Sequence, residues 1–258
     1  MKKYQNLYEP LIQRVFSEEK HKKDPEKAAK TRLHQLYGAY SQGNAYKKAE
    51  ALLGSGSQST SRAILALHAS TRERLPFLTE FYEFIAAHTL ANAAVCAGGS
   101  RIIADYGCGF NPFALPLMPP ELVSKLEAYH AFDIDLHTKS LLNRFFQLHG
   151  LPPCAECADL AVETPCLSET GVDIAFFLKL LPVLEAQREG RGYELVRATN
   201  AKFAVISYPL KSLSGREKGM QKNYSEAFEK ALQTGKFAGL VPIAEKRVGN
   251  ELVYILKQ

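Results

Sequence analysis

From residue 101 onward, apolar runs of strand length alternate with segments of helical periodicity, and this alternation restricts the fold more than any other feature of the chain. The predicted strands are residues 102–106, 129–133, 172–178, 203–208 and 251–256, with weaker candidates at 155–158 and 240–244. The predicted helices are residues 136–149, 182–198 and 225–233. This pattern is typical of an α/β fold whose mostly parallel sheet carries helices on both faces. The first strand, residues 102–106, is predicted to be central.

The residues before this region are predicted to be helical. Asp24-Pro25 is a suitable N-cap and first-turn proline for a helix through "EKAAKTRLHQLYGAY". Residues 54–61, "GSGSQSTS", predict a flexible break, and Ser70 or Thr71 is expected to cap a later helix. The glycines of residues 96–100 mark a boundary. We therefore divide the chain into an N-terminal helical domain, residues 1–97, and an α/β domain, residues 98–258.

Positive charge is concentrated at the start of the chain. The net charge of the 258 residues is +5, and residues 1–50 alone hold eleven Lys/Arg against six Asp/Glu, which accounts for all of the excess. Such a patch attracts phosphate-rich partners through counterion release, although a solvated helix face has the same composition. The basic residues of the patch are Lys20, Lys22, Lys23, Lys27, Lys30 and Arg32.

The loop after the first predicted strand reads "RIIADYGCGFNPFAL", residues 101–115. Gly107 and Gly109 allow a ligand to approach the backbone closely. A dinucleotide site would have a third glycine where this chain has Pro112, which argues against a pyrophosphate ligand. The arrangement of Asp105, Gly107 and Gly109 resembles the first motif of class I S-adenosylmethionine-dependent methyltransferases. A tight strand–helix turn is the alternative interpretation.

Acidic residues follow the next two predicted strands. Asp133 lies 24 residues after Gly109, about the distance expected for a carboxylate that binds ribose hydroxyls, and Asp135 suits a helix cap. Asp159 in "CADLA" suits an acceptor for an adenine amino group, or an ordinary turn aspartate. A glycine and two acids at three successive strand ends are more specific than any one of them.

The fourth predicted strand ends at Lys179, in "VDIAFFLKLLPVLE". Many methyltransferases that act on exocyclic amines have Asn/Asp-Pro-Pro-aromatic here, but lysine accepts no hydrogen bond. Lys179 therefore favours a target with a free lone pair, such as guanine N7, and its alternative is a solvated strand-end lysine. After the fifth strand, residues 207–224 form a second basic segment, suited to nucleic acid and containing Lys211, Arg216, Lys218 and Lys222.

Four stretches together resemble the aminoglycoside-resistance 16S ribosomal RNA methyltransferases that modify guanine N7 in the decoding site: "TRLHQLYGAY", "LHASTRERL", "GCGFNPFAL", and "FLKLLPVLE" with "SYPLKSLSGREKGM". The resemblance runs from Arg32 to the end of the chain. It implies a Rossmann-like class I fold with a seven-stranded sheet, S-adenosylmethionine as cofactor, and the 30S subunit with its 16S rRNA as partner. It also implies that the N-terminal domain docks on rRNA.

The resemblance further assigns residues. Lys179 and Arg216 are expected near the target nucleotide, and Arg74 is expected to pair with the methionine carboxylate. The cofactor contacts that it implies, together with those argued above, are Tyr37, His68, Ala69, Ser70, Thr71, Arg72, Glu73, Arg74, Gly107, Asp133, Asp159, Leu160, Leu178 and Gln187. Lys211, Lys218 and Lys222 join the N-terminal basic patch as expected rRNA contacts. Tyr106 and "FDID", residues 132–135, depart from common family residues without removing an acid or a glycine.

Other features bound the setting. The chain shows no secretory signal and no transmembrane-length apolar stretch, and its five cysteines suggest no disulfide framework, so a cytoplasmic location is expected. A monomer is expected, although no pattern in the sequence specifies the oligomeric state. Cys154-x-x-Cys157 lacks a second ligand pair, so no metal site is predicted. Two alternatives remain: a non-enzymatic RNA-binding or assembly factor, and a methyltransferase that acts on a neighbouring adenine.

Overall fold

A single seven-stranded sheet organises the protein. The computed structural model describes residues 4–38, 44–53, 58–90, 100–165, 167, 171–210 and 220–258. The strands are β1 (Arg101–Tyr106), β2 (Leu126–Asp133), β3 (Ala155–Cys157), β4 (Ile174–Leu178), β5 (Phe203–Pro209), β6 (Val241–Val248) and β7 (Glu251–Lys257). Their order is β3-β2-β1-β4-β5-β7-β6, with β7 antiparallel to both of its neighbours and the other pairs parallel.

All seven predicted strands are present, and the predicted fold class is confirmed. β1 lies inside the sheet between β2 and β4, but the middle strand of the seven is β4, so the prediction that β1 is central is corrected by one position. The described helices are α1 (Glu9–Glu19), α2 (Pro25–Leu33), α3 (Ala45–Leu52), α4 (Gln58–Leu65), α5 (Ala69–Arg74), α6 (Leu78–Leu90), α7 (Pro120–Val123), α8 (Leu136–Leu148), α9 (Leu181–Glu185), α10 (Arg191–Ala198) and α11 (Met220–Gln233).

Local sequence signals explain several helix boundaries. Asp24 caps α2 by accepting the Lys27 N–H, and Asp135 caps α8 by accepting the Thr138 N–H, both as predicted. The single helix predicted over residues 182–198 is wrong. Gly190, with φ +82°, separates α9 from α10, because a left-handed residue cannot continue a right-handed helix.

Two further expectations differ from the structure. The break predicted at residues 54–61 is wrong for residues 58–61, which begin α4, while residues 54–57 lie outside the described residues. Ser70 and Thr71 do not cap a helix, because α5 already begins at Ala69 with His68 as its N-cap residue. The Thr71 hydroxyl instead donates to the Leu65 carbonyl at 2.6 Å, which fixes the turn between α4 and α5.

The sheet is packed on both faces, as its apolar strands require. Helices α4, α6 and α8 share one apolar core with residues such as Ile103 and Phe176, and α9, α10 and α11 cover the opposite face around Phe177. A separate small core joins α1 and α2 through residues such as Val15 and Leu33. A division at residues 97/98 remains a prediction, with α4 and α6 packed directly on the sheet.

Candidate cofactor and target site

A cavity of about 130 Å³ opens at the carboxyl ends of β1, β2 and β4, where the sheet order reverses and parallel α/β sheets bind ligands. A smaller cavity of about 80 Å³ adjoins it and shares Gly107 and Asp133 in its wall. The predicted residues that line the larger cavity are Tyr37, His68, Ser70, Thr71, Arg74, Gly107, Asp133, Leu178 and Lys179. Asp159, Leu160 and Gln187 line the smaller one, so the two adjoining cavities bring together predicted residues from distant parts of the chain.

The glycine loop presents backbone to the larger cavity. Gly107 and Gly109 have φ values of +68° and +49°, which side-chain-bearing residues rarely adopt. A Cβ on Gly107 would lie 2.8 Å from Leu180 Cδ1, and one on Gly109 would lie 3.0 Å from the His68 ring. The loop therefore needs glycine for conformation and for space, and it forms a cradle that a Cβ would fill.

Asp133 ends β2 with both oxygens held by backbone. Its Oδ2 accepts the Gly109 N–H at 2.8 Å, and its Oδ1 accepts those of Ile134 and Asp135 at 2.7 and 3.1 Å. Burial, with the nearby Asp135 charge, raises the pKa of Asp133 to about 6, although the three hydrogen bonds oppose the rise. The carboxylate is a fixed acceptor at the junction of the two cavities, and its Oδ2 retains one lone pair that suits a ribose hydroxyl.

The smaller cavity has a polar edge and an apolar wall. Asp159 is buried after β3, and Leu160 and Leu11 contribute apolar surface. The Arg14 guanidinium reaches Asp159 from α1, with Nε–Oδ2 and Nη2–Oδ1 distances of 2.6 and 3.1 Å. The same Nη2 donates to Gln187 Oε1 at 2.9 Å. The first helix is thus part of this cavity.

Arg74 is buried and already pairs with a carboxylate of this chain. Its Nε and Nη2 donate to the two oxygens of Glu251, each at 2.8 Å, and its Nη1 donates to Asn111 Oδ1 at 2.8 Å. Burial alone would raise the pKa of Glu251, but the charges of Arg74 and Lys179 outweigh it and lower the pKa. Pairing of Arg74 with a methionine carboxylate stays a prediction, and it would use the N–H groups that this fork leaves over.

The network continues to the acid of the glycine motif. Asp105 Oδ2 accepts from Asn111 Nδ2 and from the Tyr129 hydroxyl, each at 2.8 Å, whereas its Oδ1 is buried without a hydrogen-bond partner among the described residues. Burial raises the pKa of Asp105 to about 6, although these two hydrogen bonds lower it. Asp105 lines neither cavity, and its connection to the larger one runs through Asn111, which does line it.

Lys179 follows β4 in a left-handed conformation with φ +59°, which costs roughly 1–2 kcal/mol for a side-chain-bearing residue. Its side chain is only 9% exposed, and its Nζ lies 2.8 Å from Glu73 Oε2 and 3.6 Å from Glu251 Oε1. The alternative interpretation of a solvated strand-end lysine is therefore wrong. A strained, buried, charge-balanced lysine at the cavity wall is typical of functional sites.

Helix α5 divides the "HASTRER" block by its faces. His68, Ser70, Thr71 and Arg74 line the larger cavity, and burial lowers the pKa of His68 to about 4. Ala69, Arg72 and Glu73 lie on the same helix but line neither cavity, and Glu73 instead pairs with the Lys179 ammonium. An α-helix directs adjacent side chains to different faces, which explains why only part of the block lines a cavity. Cofactor contacts by these three residues stay a prediction.

Tyr37 connects the helical segment to the cavity. It belongs to the π-helical turn His34–Gly38, lines the larger cavity, and donates its hydroxyl hydrogen bond to Asp135 Oδ2 at 2.6 Å. Its position beside the loop after β2 agrees with the predicted contact from the N-terminal domain.

The basic patch is exposed around the turn between α1 and α2. Lys20, Lys22, Lys23 and Lys27 are exposed, whereas Lys30 pairs with Glu26, and Arg32 pairs with Glu18 and Glu19. In the second basic segment, Lys222 lies exposed on α11, 3.7 Å from Glu226. The predicted residues Lys211, Arg216 and Lys218 lie outside the described residues.

The sequence reasoning missed Arg14, Asn111 and Glu251. Glu251 has a visible signal, since it is an acid at the start of the otherwise apolar strand "ELVYILK" and is buried there. Asn111 lies two residues after Gly109, and a polar side chain so close to a glycine loop is a visible signal. Arg14 has no comparable signal, because its partner is 145 residues away in the chain.

The described residues show neither a metal cluster nor a membrane-spanning helix. They contain no group of three or more His, Cys, Asp or Glu side chains that could hold a metal ion. Cys108, Cys154 and Cys157 are free thiols, while Cys96 and Cys166 lie outside the part described. No helix in the described ranges is both long and apolar enough to cross a membrane.

Known proteins resemble this chain over almost its whole length. The family described as "Ribosomal RNA methyltransferase (FmrO)" matches residues 2–255. The 16S rRNA (guanine(1405)-N(7))-methyltransferase of Serratia marcescens is 33% identical, with 100% of this chain and 94% of that protein covered. The protein of the same name from Frankia casuarinae is 35% identical, with 91% and 81% covered.

A solved structure shares the fold as well. The crystal structure of 16S rRNA methyltransferase RmtF in complex with S-adenosyl-L-homocysteine matches with a TM-score of 0.78 at 33% identity. The match covers 99% of this chain and 93% of that one. The similarity therefore includes the helical N-terminal segment and the sheet together.

Proposed function

The chain belongs to the FmrO family of ribosomal RNA methyltransferases, and we propose that it transfers a methyl group from S-adenosylmethionine to N7 of a guanine in the aminoglycoside-binding decoding site of 16S rRNA. The observation that carries this proposal is the cavity at the carboxyl ends of β1, β2 and β4, where Gly107, Asp133 and Lys179 meet. Relatives that carry this activity in their names share about a third of their residues with this chain.

The residues present fit S-adenosylmethionine. Gly107 and Gly109 leave room for the ligand at the backbone, Asp133 is a fixed acceptor for ribose, and Asp159 lies in the adjoining cavity for the adenine amino group. When bound, S-adenosylmethionine supplies a methyl group on a sulfonium, whose neutral thioether product is a good leaving group.

The target chemistry follows from Lys179. Guanine N7 has a free lone pair, so it forms the new carbon–nitrogen bond as the carbon–sulfur bond breaks, and no proton is removed. Lys179 is unsuited to act as an acceptor, and its ammonium is held between Glu73 and Glu251, where it can orient an electron-rich base edge or phosphate. Catalysis then consists of placing N7 in line with the methyl group. Arg216 is proposed to assist at the target.

The remaining assignments concern docking and setting. We propose that residues 1–97 dock on the 30S subunit through the basic patch, and that the protein acts as a monomer in the cytoplasm, where ribosomes are found. Lys211, Lys218 and Lys222 are proposed to contact rRNA beside the site. The methylated guanine carries a fixed positive charge where aminoglycoside ammonium groups bind, so resistance is the proposed outcome.

The direct test is transfer of radiolabelled methyl to purified 30S subunits, beside naked 16S rRNA and intact 70S ribosomes. We expect label on 30S, at a guanine that becomes cleavable after reduction and aniline treatment. Asp133→Asn replaces one carboxylate oxygen by an NH₂ donor and removes the charge at nearly constant shape, and Glu156→Gln, exposed on β3, is the matched control. We expect the first variant to lose transfer at limiting cofactor, and the second to retain it.

Each alternative has its own outcome. Label on an adenine would identify the neighbouring-adenine methyltransferase. Calorimetry that detects no S-adenosylhomocysteine binding would favour the non-enzymatic RNA-binding factor. Unchanged gentamicin and kanamycin susceptibility in cells whose 16S rRNA is methylated would refute the resistance step alone.

A further inference from the structure

The start of the first helix is hydrogen-bonded to the loop after β2, which borders both cavities. The Tyr8 N–H donates to the Ile134 carbonyl at 2.8 Å, and the Leu136 N–H donates to the Asn6 carbonyl at 2.8 Å. These bonds flank the turn after β2. Leu11, one turn further along α1, is buried and lines the smaller cavity. The start of α1 is therefore held against the wall of the smaller cavity.

Arg14 uses this position to hold the polar edge of the cavity. Its fork places Nε on Asp159 Oδ2 and Nη2 on Oδ1, and Nη2 also reaches Gln187. The Arg14 side chain is 14% exposed and that of Asp159 is 3% exposed, so the pair is shielded from solvent. A charge-assisted bidentate pair in this setting restricts a carboxylate to one rotamer.

The hydrogen bonds leave Asp159 one acceptor position. Oδ1 accepts from Arg14 and from the Ala161 N–H at 3.2 Å, whereas among the described residues Oδ2 accepts from Arg14 alone. A carboxylate oxygen has two lone pairs, so Oδ2 retains one for a further donor. A ligand amino group in the smaller cavity is a donor of the required kind.

Arg14 is itself held from the opposite side. Its Nη1 lies 2.9 Å from Glu18 Oε1, and the other oxygen of Glu18 lies 2.9 Å from Arg32 Nη2 on α2. The guanidinium is thus fixed between α1 and the cavity edge rather than free to rotate into solvent.

We infer that Arg14 is a positioning residue for adenine recognition: it orients the Asp159 carboxylate and the Gln187 carboxamide so that Asp159 Oδ2 accepts the adenine amino group. This inference rests on the proposed function, because it needs S-adenosylmethionine as the ligand. It assigns part of the cofactor specificity to the first helix, in a segment that the sequence marks only by its positive charge.

The experiment compares Arg14→Ala with wild type by calorimetry, using S-adenosylhomocysteine and S-inosylhomocysteine. The inosine analogue replaces the amino group by a carbonyl, so it probes the Asp159 acceptor specifically. Arg144→Ala is the matched control, since Arg144 is exposed on α8 and its ion pair with Glu50 spans 3.9 Å. Arg14→Lys retains the charge without the fork, and it provides a second test if Arg14→Ala folds poorly.

In Arg14→Ala we expect S-adenosylhomocysteine to bind about tenfold more weakly and S-inosylhomocysteine to weaken by less than about threefold, so that discrimination falls. Arg14→Lys is expected to lose part of the discrimination, and Arg144→Ala none. An equal weakening of both ligands would show a merely structural role and overturn the inference. Unchanged or tighter binding of S-adenosylhomocysteine would also overturn it, because Arg14 would then either not affect adenine binding or compete with the adenine amino group for Asp159.

The same measurement separates this inference from the proposed function. A wild-type protein that binds no S-adenosylhomocysteine would refute the proposed function itself. A wild-type protein that binds it, with Arg14→Ala retaining full discrimination, would refute the role of Arg14 alone.

Discussion

Glu251→Gln tests how much the negative charge of Glu251 contributes to the free energy of unfolding, since this charge is buried between Arg74 and Lys179. Glu251 accepts both arms of the Arg74 fork at 2.8 Å and the Ser207 hydroxyl at 2.7 Å, and it lies 3.6 Å from the Lys179 ammonium. Glutamine has almost the same shape, but it carries no charge. Its amide NH₂ would also face an N–H of Arg74, so one hydrogen bond becomes a donor–donor contact.

The magnitude follows from burial. Removing one partner of a buried ion pair typically costs about 3–5 kcal/mol, because the other charge is left uncompensated. Glutamine retains one acceptor and Lys179 has a second partner in Glu73, so we expect about 3 kcal/mol. For a domain of this size, roughly 2–4 °C of melting temperature is lost per kcal/mol, which gives about 6–12 °C.

The control is an ion pair at the surface with the same N–O distance. Lys246 Nζ and Glu80 Oε1 are also 2.8 Å apart, but their side chains are 42% and 46% exposed. Glu80→Gln is therefore expected to cost less than about 1 kcal/mol. Urea denaturation of wild type and both variants at neutral pH measures the free energy of unfolding. Equal effects of the two substitutions would show that the Arg74–Glu251 pair is effectively solvated and would refute the reasoning.

Three further predictions concern the cofactor site. The pKa of Asp133, about 6, implies that S-adenosylhomocysteine binds about tenfold more weakly at pH 5 than at pH 7, because protonation turns one acceptor oxygen of the carboxylate into a donor and removes its charge; calorimetry at both pH values tests this. Acid unfolding caused by this group would not explain such a loss. The pKa of Asp133 is higher in the folded protein than the unfolded value of about 3.9, so its protonation stabilises the fold between about pH 6 and 4. An affinity that does not change between pH 5 and pH 7 would contradict the prediction. Gly109→Ala is expected to lower the free energy of unfolding more than Gly150→Ala does. Both positions have positive φ, which costs a side-chain-bearing residue roughly 1–2 kcal/mol, but only the Cβ at position 109 would meet the His68 ring. Equal losses of stability in urea denaturation would contradict the steric argument. Lys179→Ala is expected to abolish methyl transfer to 30S subunits while S-adenosylhomocysteine affinity stays within about threefold, and full activity would reduce Lys179 to a structural charge.

Strands and strand-end motifs were readable from the chain because their signals are local. The apolar run that forms β1 is followed at once by Gly107 and Gly109, and β2 ends at Asp133. Parallel strands bring their carboxyl ends to one edge, so the predicted topology was enough to place Asp133 and Asp159 near the glycine loop. The family resemblance then added the α5 block, of which Arg74 lines the cavity.

Side-chain partners were not readable in the same way. Arg74 was expected to bind a ligand carboxylate, but it pairs with Glu251, 177 residues away. The order of β5, β7 and β6 pairs Glu251, at the start of β7, with Pro209 of β5, and no local pattern specifies that register. The burial of the Lys179 side chain likewise depends on Glu73 of α5 and Glu251 of β7, and its backbone N–H is held by Ser207 of β5.

The sequence by itself determined the α/β class, the glycine loop, the acids at the strand ends and the location of excess positive charge, because period, residue type and spacing carry that information. Only the tertiary structure decided which charges are neutralised. Arg14 and Arg74 look alike as basic helix residues, yet one closes on Asp159 and the other on Glu251. Ion pairs between distant segments form only after packing brings them together, and burial then makes each pairing costly to break.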